Sequence, residues 1–288
     1  MISKGIILCG GTGSRLFPVT KSINKHLLPV YNKPMFFYSL SVLMLAGIRN
    51  ILIITGKNQK KNFENTIGNY SDLGIKLNFS EQSVADGIPD AILAGKDFIK
   101  KDNFALILGD NFFYGSNLSS TLLTSFKKNK GGTIFLYPSK NPNNYGVVEL
   151  DKNKKIEKIV EKPKKTKSNL IITGLYLLNH KVFEYAKNLK KSKRNETEIV
   201  DLIKIYNKNK KLKIINLQRG SAWLDMGTFN DLIRASSFVE NIEKRQSYQI
   251  ACLEEIAFSK GWINKKNILH RIKEFKKSSY SEYLKNII

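Results

Sequence analysis

The sequence predicts an α/β fold in which a mostly parallel sheet is covered by helices on both faces. Three observations lead to this prediction. Short β-branched runs alternate with amphipathic stretches along the first half of the chain, as they do in parallel α/β sheets. Two apolar segments that begin at residues 146 and 156 flank a polar turn, which predicts a small antiparallel portion. Beyond residue 226 the strand patterns stop, and helical patterns predict a C-terminal helical extension.

The predicted strands are short and mostly apolar. Buried strands are predicted at 5–9, 50–55, 76–80, 104–108 and 133–137, and an antiparallel hairpin at 146–150 and 156–160. Between the first two strands, apolar residues recur with helical spacing at positions 36, 37, 40, 43 and 44. This pattern predicts a helix that buries one apolar face in the core and ends near Gly47.

The chain is predicted to form an α/β core at residues 1–226 and a helical extension at residues 227–288. Thr228 and Asp231 are predicted to cap the first helix of the extension, because their side-chain oxygens can accept hydrogen bonds from first-turn amides. No internal repeat, long Gly/Ser linker or low-complexity tract separates the two parts. The extension is therefore expected to pack on the core.

The chain carries a large positive charge. Its 48 Lys and Arg residues against 24 Asp and Glu residues give a formal net charge of +24. The lysines are spread along the whole chain and mixed with Asn and Ile, instead of gathering on one helix with interleaved aromatic residues. This distribution argues against nucleic-acid binding, although a positive field would help to attract phosphorylated small molecules.

Neither a membrane segment nor a disulfide framework is predicted. No window approaches 18 uninterrupted apolar residues, and the N-terminus leads directly into a strand-like segment, so a cytoplasmic protein without membrane association is expected. Cys9 and Cys252 lie far apart without a CxxC or His-rich context. Both are therefore interpreted as buried free thiols.

A glycine-rich turn follows the first predicted strand. Gly10, Gly11 and Gly13 allow backbone amides to approach a phosphate closely. No Lys-Ser/Thr pair follows at the spacing of a Walker A loop, and the third glycine of a GxGxxG fingerprint is missing. Arg15 can bind a phosphate through two hydrogen bonds, and Lys25 adds a second positive charge. For the glycines alone, a purely structural turn is the alternative explanation.

The segment from Gly10 to Met35 resembles the signature of an enzyme family. The run Gly10-Gly11-Thr12-Gly13-Ser14-Arg15-Leu16, followed by Pro18, Thr20, Lys25-His26-Leu27-Leu28-Pro29-Val30 and Lys33-Pro34-Met35, is similar to the GGxGxRL…PxxK pattern of the sugar nucleotidyltransferases. Other segments resemble the family members that act on glucose 1-phosphate and dTTP; they lie at 108–115, 145–149, 161–163, 173–176, 222–225, 254–258 and 260–261. The resemblance covers essentially the whole chain and implies a Rossmann-like nucleotidyltransferase sheet.

The resemblance implies a reaction and a metal ion. A thymidylyl group would pass from dTTP to α-D-glucose 1-phosphate, giving pyrophosphate and dTDP-glucose for deoxysugar synthesis of the dTDP-rhamnose type. Asp110 and Asp225 would hold one Mg²⁺, since hard oxygen ligands suit this cation. Asp110 follows the strand at 104–108, at the edge where open α/β sheets place their ligands. Without the other motifs, a turn or cap residue would be the favoured interpretation of Asp110.

The same resemblance assigns other residues to binding and catalysis. The catalytic cations are Arg15, Lys25 and Lys162; the nucleotide-binding residues are Gly10, Gly11, Gly13, Gln82 and Gly87; the sugar-phosphate-binding residues are Gly146, Glu161, Lys162, Thr173 and Gly174. A solvated Gln82 and a surface charge pair at Glu161 and Lys162 are the simpler alternatives. Trp223 is interpreted as a packing residue, because large aromatic side chains dominate cores.

The resemblance also implies a homotetramer with a second, regulatory nucleotide site. The candidate regulatory residues are Tyr114, Gly115, Arg219, Glu255 and Ile256. Ser259 stands where an arginine of that site is usual, so weaker feedback inhibition is expected. His26, Asp90 and Val200 also depart from the family pattern. These departures leave UTP, or another hexose 1-phosphate, open as a substrate.

Two further functions fit parts of the pattern. A nicotinamide-dependent oxidoreductase needs the complete glycine fingerprint and an acidic residue after the second strand, where Thr55-Gly56-Lys57 offers none. A non-catalytic sensor of sugar nucleotides would share the fold, because fold alone does not fix function. Against the sensor stands the complete set of charged residues, Arg15, Lys25, Asp110, Lys162 and Asp225.

Overall fold

Four parallel strands form the centre of the molecule in the computed structural model, which describes residues 2–82, 86–192 and 194–288. The strands are β1 Lys4–Cys9, β2 Pro29–Val30, β3 Lys33–Pro34, β4 Asn50–Gly56, β5 Lys76–Gln82, β6 Phe104–Leu108, β7 Asn111–Tyr114, β8 Gly132–Pro138, β9 Gly146–Leu150, β10 Ile156–Glu161, β11 Leu170–Leu178, β12 Leu212–Asn216 and β13 Ala222–Asp225. The helices are α1 Met35–Leu45, α2 Lys60–Ile67, α3 Ile88–Leu93, α4 Lys96–Ile99, α5 Leu118–Lys128, α6 Val182–Lys187, α7 Ile199–Lys208, α8 Phe229–Gln246, α9 Leu253–Ser259, α10 Lys265–Phe275 and α11 Ser279–Asn286.

The large sheet is mixed. Its parallel centre has the order β6-β1-β4-β5, and β11 pairs antiparallel with β6 and continues the sheet to β9 and β10. Strands β8 and β12 extend it from β11 on a second path. Because β1, β5 and β6 run in the same direction, the residues that follow them meet at one edge. The predicted α/β class and the antiparallel β9–β10 hairpin are confirmed.

Helix α1 is buried more completely than its sequence pattern indicates. Every residue from Met35 to Met44 is buried, including Ser39 and Ser41, so the prediction of a single apolar face was too narrow. The physical reason is that α9 covers the face of α1 that points away from the sheet. The Ser39 hydroxyl donates to the carbonyl oxygen of Leu108 at 2.8 Å and lies 3.0 Å from that of Asn111. Helix α1 thereby fixes the turn that carries Asp110.

The described chain is helical from Phe229 onwards, as predicted. Thr228 caps α8 by accepting a hydrogen bond from the amide of Asp231 at 3.3 Å. The Asp231 carboxylate accepts the Thr228 hydroxyl proton at 2.6 Å, so it does not complete a capping box with the backbone. Among the described residues, no helix is both long enough and apolar enough to cross a membrane.

Two buried ion pairs fasten the C-terminal helices. The Lys33 ammonium lies 3.0 Å from a carboxylate oxygen of Glu243 on α8, and both side chains are buried. The Arg271 guanidinium of α10 donates to Glu254 of α9 at 2.9 Å and to the carbonyl oxygen of Ile67 at 3.1 Å. Both pairs have additional hydrogen-bonding partners, as buried charges require. These pairs connect α8 and α10 to residues earlier in the chain, whereas the division into a core at 1–226 and an extension packed on it stays a prediction.

Candidate active site

A cleft of about 340 Å³ opens at the carboxyl edge of β1, β5 and β6. Its walls bring together residues from distant parts of the chain, and eight of them are residues that the sequence assigns to the site. They are Leu8, Gly10, Gly11, Thr12, Lys25, His26, Gln82, Gly87, Ile88, Ala91, Leu108, Asp110, Glu161, Lys162, Arg194, Glu196, Thr197, Glu198 and Ile199. The cleft is thus polar and charged on several sides, as a phosphorylated ligand requires.

Lys25 and Asp110 form a buried ion pair at the floor of the cleft. The Lys25 ammonium bonds directly to the Asp110 carboxylate, and each residue is only 9% exposed. Lys25 begins a short 3₁₀ helix that Asn24 caps by accepting a hydrogen bond from the His26 amide. Burial alone would raise the pKa of Asp110, but the Lys25 charge and hydrogen bond hold it well below its usual range. Asp110 is therefore ionised at neutral pH.

Asp225 lies beside Asp110 because β13 pairs with β7. In this ribbon Asp225 is opposite Asn111, and the amide of Met226 donates to the carbonyl oxygen of Asp110 at 2.9 Å. Burial, followed by the negative charge of Asp110, raises the pKa of Asp225 to about 7. Two neighbouring carboxyl groups with pKa values shifted in opposite directions are typical of functional sites.

The donor set of these two carboxyl groups suits a magnesium ion. Mg²⁺ is commonly bound through one or two carboxylates, with substrate phosphates and water completing the coordination. Among the described residues, no group of three or more Asp, Glu, His or Cys residues could form a larger metal site. Asp110 and Asp225 therefore fit a metal that is shared with a phosphorylated substrate, and they do not form an all-protein cage.

Arg15 lies next to Asp225, outside the wall of the cleft. A Cβ atom on Gly227 would come within 2.6 Å of the Arg15 guanidinium, so that side chain rests on the Gly227 backbone. The charge of Arg15 partly offsets the rise in the pKa of Asp225. Arg15 is itself exposed and can therefore reach toward a phosphate at the mouth of the cleft.

His26 is a buried wall residue that stays neutral. Burial, followed by the positive charge of Lys25, lowers its pKa to about 3. Its Nδ1 lies 2.9 Å from the side-chain oxygen of Asn24, whose amide nitrogen donates to the carbonyl oxygen of Cys9. His26 therefore adds no charge to the cleft at neutral pH.

Four of the five predicted nucleotide-binding residues line the cleft, namely Gly10, Gly11, Gln82 and Gly87. Gly13 instead forms the turn before Arg15, with a φ of +67° and a carbonyl oxygen that accepts from Thr20 at 2.7 Å. Gly87 pairs with Thr197, and a Cβ atom on Gly87 would collide with the Thr197 carbonyl oxygen. The Gly87 backbone is thereby fastened to the opposite wall.

Glu161 and Lys162 also line the cleft, and their assignment to the sugar-phosphate side stays a prediction. Three further wall residues, Arg194, Glu196 and Glu198, were not predicted as site residues. Arg194 lies 2.9 Å from Glu196, 3.4 Å from Glu161 and 3.5 Å from Glu198. Burial, followed by the charge of Glu198, raises the pKa of Glu161. In a chain with 48 basic residues, no sequence signal distinguishes Arg194 from the others.

The remaining predicted sugar-side residues lie behind the wall. A Cβ atom on Gly146 would come within 2.7 Å of Val200 and 3.4 Å of Glu161, so Gly146 supports the Glu161 side of the cleft. Thr173 is fully buried and donates to the carbonyl oxygen of Phe135 at 3.0 Å. The Gly174 amide donates to the side-chain oxygen of Asn111 at 3.0 Å. Direct contact of Thr173 and Gly174 with a sugar stays a prediction.

Trp223 is a packing residue, in agreement with its interpretation from the sequence. It is 7% exposed, and its indole nitrogen donates to the Asn111 side chain at 2.7 Å. Its ring packs edge-on against Tyr145, with 5.3 Å between the ring centroids. Trp223 therefore stabilises the β7–β13 ribbon next to Asp225.

The candidate regulatory residues lie at the other end of the β7–β13 ribbon and on α9. The Tyr114 hydroxyl is hydrogen-bonded to that of Tyr248 and donates to Gln246 at 3.2 Å. Glu255 accepts a hydrogen bond from the Tyr283 hydroxyl at 2.7 Å. Gly115 packs against Ser221, Arg219 is exposed, and the Ile256 carbonyl oxygen accepts the Ser259 hydroxyl proton at 3.0 Å. A regulatory role for these residues stays a prediction.

This fold and this phosphate-oriented cleft define a nucleotidyltransferase. The chain belongs to the nucleotidyl transferase family, whose model matches residues 4–242. Enzymes of this family generally use a divalent metal ion, and their substrates are nucleotides and sugar phosphates.

Within the family, the chain belongs with proteins named glucose-1-phosphate thymidylyltransferase. The relative from Neisseria gonorrhoeae is 47% identical over 285 residues, 99% of each chain. The relative from Mycobacterium tuberculosis is 42% identical over the same length and coverage.

Solved structures of similar proteins share this fold. A proposed glucose-1-phosphate thymidylyltransferase from Bacillus anthracis, solved with sucrose, is 39% identical with a TM-score of 0.74, covering 82% of this chain and 94% of that one. A UDP-glucose pyrophosphorylase in complex with UDP-glucose is 26% identical with a TM-score of 0.74, covering 84% of this chain and 99% of that one. The expected family and the expected enzyme class are therefore confirmed.

Proposed function

We propose that the protein transfers a thymidylyl group from dTTP to α-D-glucose 1-phosphate, with release of pyrophosphate. The observation that carries the proposal is the position of the buried Lys25–Asp110 pair in the cleft. In the strand order of the sheet, β6, which Asp110 follows, lies between β5, which ends at Gln82, and β10, which ends at Glu161. Two ligands can therefore meet end to end over one charged centre.

The reaction requires a single displacement at phosphorus. A phosphate oxygen of glucose 1-phosphate attacks the α-phosphorus of dTTP, and the bond from this phosphorus to the bridging oxygen breaks as pyrophosphate leaves. The attacking phosphate is already ionised at neutral pH, so no general base is needed. What the protein must provide is the alignment of two anions that repel each other and positive charge at the α-phosphate.

Cationic side chains of this chain are placed for that task. Lys25 supplies a fixed charge at the floor of the cleft, and Lys162 lies on the sugar-phosphate wall. Arg15, beside Asp225, can bind the phosphates at the mouth with two hydrogen bonds. Mg²⁺ held by Asp110 and Asp225 would add positive charge at the α-phosphate when bound. The departing pyrophosphate is proposed to be stabilised by Arg15 and Lys25.

The opposite walls provide the two recognition surfaces. Gln82 carries a carboxamide with both donor and acceptor atoms, which suits the edge of a pyrimidine base. Glu161 can accept hydrogen bonds from hexose hydroxyls, and Lys162 can bind the sugar phosphate. The family resemblance supports the same division of roles, with dTDP-glucose destined for deoxysugar synthesis.

The helical extension and the cysteines bear on the assembly and the location of the protein. The helical extension resembles that of tetrameric family members, so we propose a homotetramer, which sedimentation at micromolar concentration would test; a monomer would contradict it. The two free cysteines, both buried, suit a reducing compartment, and the cytoplasm is the proposed location.

The substrate assignment is tested by pyrophosphate release. Purified protein with Mg²⁺ is incubated with dTTP or UTP and with a panel of hexose 1-phosphates. Highest kcat/KM is expected for dTTP with glucose 1-phosphate. A preference for UTP would support the alternative suggested by the UDP-glucose pyrophosphorylase structure. If no pair released pyrophosphate while dTTP still bound, the protein would be a sensor and the proposed reaction would be wrong.

A further inference from the structure

The side chain of Gln82 lies directly on Gly10. A Cβ atom built on Gly10 would be 2.5 Å from Gln82 Nε2 and 2.9 Å from its Cγ, and closer still to its Cδ. All of these atoms belong to the end of the Gln82 side chain. The carboxamide therefore occupies the space that any side chain at position 10 would take.

The sheet accounts for this contact. Gln82 is the last residue of β5, where it pairs with Gly56 of β4, and Gly10 directly follows β1 on the other side of β4. The Gln82 side chain lies along the carboxyl edge and ends on the first residue of the glycine-rich turn. Both residues line the cleft, so the carboxamide is held at the cleft wall.

The backbone of Gly10 does not itself require glycine. Its φ lies outside the left-handed region, in contrast to Gly13 at +67°. Gly11 is different again, because a Cβ atom there would meet, among the described residues, only Lys25, at 3.7 Å from Cε. A Cβ atom on Gly13 would come within 3.0 Å of Lys25 Cβ, a less severe overlap than the one that Gly10 would have with Gln82. Of the three glycines, Gly10 is thus the one whose missing side chain leaves room for the Gln82 carboxamide.

We propose that Gly10 is a positioning residue for nucleobase recognition, acting through Gln82. This inference rests on the proposed function, in which the Gln82 carboxamide reads the pyrimidine. A carboxamide discriminates only when its donor and acceptor point in fixed directions. Packing against the Gly10 backbone restricts the rotation of the Gln82 side chain and orients its amide before the nucleotide binds.

The substitution Gly10→Ala separates this role from folding. The atoms that the new methyl group would meet are the far end of a flexible side chain, so Gln82 can turn away while the backbone stays in place. The KM for dTTP is expected to rise about tenfold, as for loss of one specific contact. The KM for glucose 1-phosphate and the thermal midpoint should change little, and the ratio of kcat/KM for dTTP over UTP should move toward that of Gln82→Ala.

A double-mutant cycle decides whether Gly10 acts through Gln82. Once Gln82 is alanine, adding Gly10→Ala should change the KM for dTTP less than twofold, because the group that Gly10 orients is already gone. Gly56→Ala is the matched control at the same edge, since within the described part of the chain its Cβ atom would meet only the Gly10 carbonyl oxygen, at 3.7 Å. It should leave both KM values unchanged.

Several outcomes would overturn the proposal. If adding Gly10→Ala raised the KM for dTTP of the Gln82→Ala variant as strongly as that of the wild type, the methyl group would act directly on the phosphates. An unchanged KM for dTTP in Gly10→Ala, or in Gln82→Ala, would remove the orienting role. Measuring the Kd of dTTP by calorimetry runs the same cycle without turnover, so a wild type that releases no pyrophosphate would refute the proposed reaction but not the role of Gly10.

Discussion

Lys25 bonds to Asp110 across the floor of the cleft, and the ammonium keeps that carboxyl group ionised although it is almost fully buried. Asp225, next to it, has its pKa raised to about 7 by burial and by the charge of Asp110. The two acidic residues therefore differ before any ligand binds. Asp110 is a permanent anion, whereas Asp225 gains its full charge only as the pH rises through neutrality.

The first prediction concerns the metal. Asp110→Asn and Asp225→Asn keep the side-chain volume but remove a charge that a hard cation requires. Each is expected to lower kcat by about 10²- to 10³-fold, the usual effect of losing one electrostatic contact of the transition state. EDTA should abolish wild-type activity, and added Mg²⁺ should restore it. Near-normal turnover and unchanged magnesium dependence in both variants would refute the assignment.

The second prediction separates activity from stability at Asp225. Its pKa in the folded protein lies above the unfolded value, so the folded state binds more protons between about pH 4 and pH 7. The free energy of unfolding therefore falls as the pH rises through this window and is constant above it. The Asp225→Asn variant has no ionisable group at this position, so its free energy of unfolding does not fall for this reason.

In EDTA at pH 8, Asp225→Asn should consequently unfold at a higher temperature than the wild type. Each unit of pKa shift corresponds to about 1.4 kcal/mol, so a gain of a few kcal/mol is the upper limit. The two proteins should converge below about pH 4. A wild type that is equally or more stable than the variant at pH 8 would show that Asp225 is not penalised by burial beside Asp110.

The third prediction concerns the connection between the two walls. The Thr197 amide donates to the Asp86 carbonyl oxygen at 2.8 Å, and its hydroxyl donates to the Asp90 carboxylate at 2.8 Å. These bonds fix the Gly87 backbone at the base side. Thr197→Val removes the hydroxyl and should raise the KM for dTTP about fivefold, because one hydrogen bond contributes about 1 kcal/mol.

The matched control is Lys191→Ala on the same segment. Lys191 forms an exposed ion pair with the Asp86 carboxylate at 2.8 Å, and such pairs contribute little in water. This variant should change the KM for dTTP less than twofold. Equal effects of both substitutions would mean that the segment responds to any change, and that the Thr197 hydroxyl has no special role.

The fourth prediction concerns regulation. Ser259 cannot form the paired hydrogen bonds with a phosphate that an arginine forms. Ser259 is exposed on α9 and donates only to the Ile256 carbonyl oxygen, so an arginine fits there without repacking. Ser259→Arg should tighten inhibition by dTDP-rhamnose while leaving the uninhibited kcat unchanged. Inhibition curves that superimpose for both proteins would remove the regulatory assignment.

Much of the fold follows from local patterns. The strands β1, β4 and β6 are apolar runs bounded by turn residues, and the predicted positions of these strands and of β5 match the structure within two residues at each end. The predicted burial of β5 was wrong, because this strand alternates apolar and polar residues at the edge of the sheet and only Leu77 is buried. Six strands of the described chain were not predicted, namely β2, β3, β7, β11, β12 and β13. Gly174 interrupts the buried strand β11, so neither a helical nor an alternating period is visible there. Strand β12 follows a lysine-rich stretch, so its sequence pattern indicates a charged surface segment instead of a strand.

The site was predictable only where a motif marked it. Asp110 follows a strand end, and the glycine-rich turn follows another, so their convergence comes from parallel topology. Arg194 and Glu198 have no such marker, because tertiary packing of the segment before α7 brings them into the cleft. The contact between Gly10 and Gln82 is likewise invisible in the sequence, since it depends on the exact pairing of β4 with β5.

The last prediction concerns the ion pair that fastens α8 to the core. Glu243 accepts hydrogen bonds from the Lys33 ammonium at 3.0 Å, from Asn32 at 2.7 Å and from the Ile250 amide at 2.9 Å. Glu243→Ala would leave Lys33 charged and buried without its partner, which typically costs about 3–5 kcal/mol. The control is Glu240→Ala, which removes an exposed pair with Lys244 one turn away and should cost less than about 1 kcal/mol. Chemical unfolding measures both, and adding Lys33→Met to Glu243→Ala should recover part of the loss because no unpaired charge then remains. Equal stability of the Glu243 and Glu240 variants would show that the buried pair does not hold the extension in place.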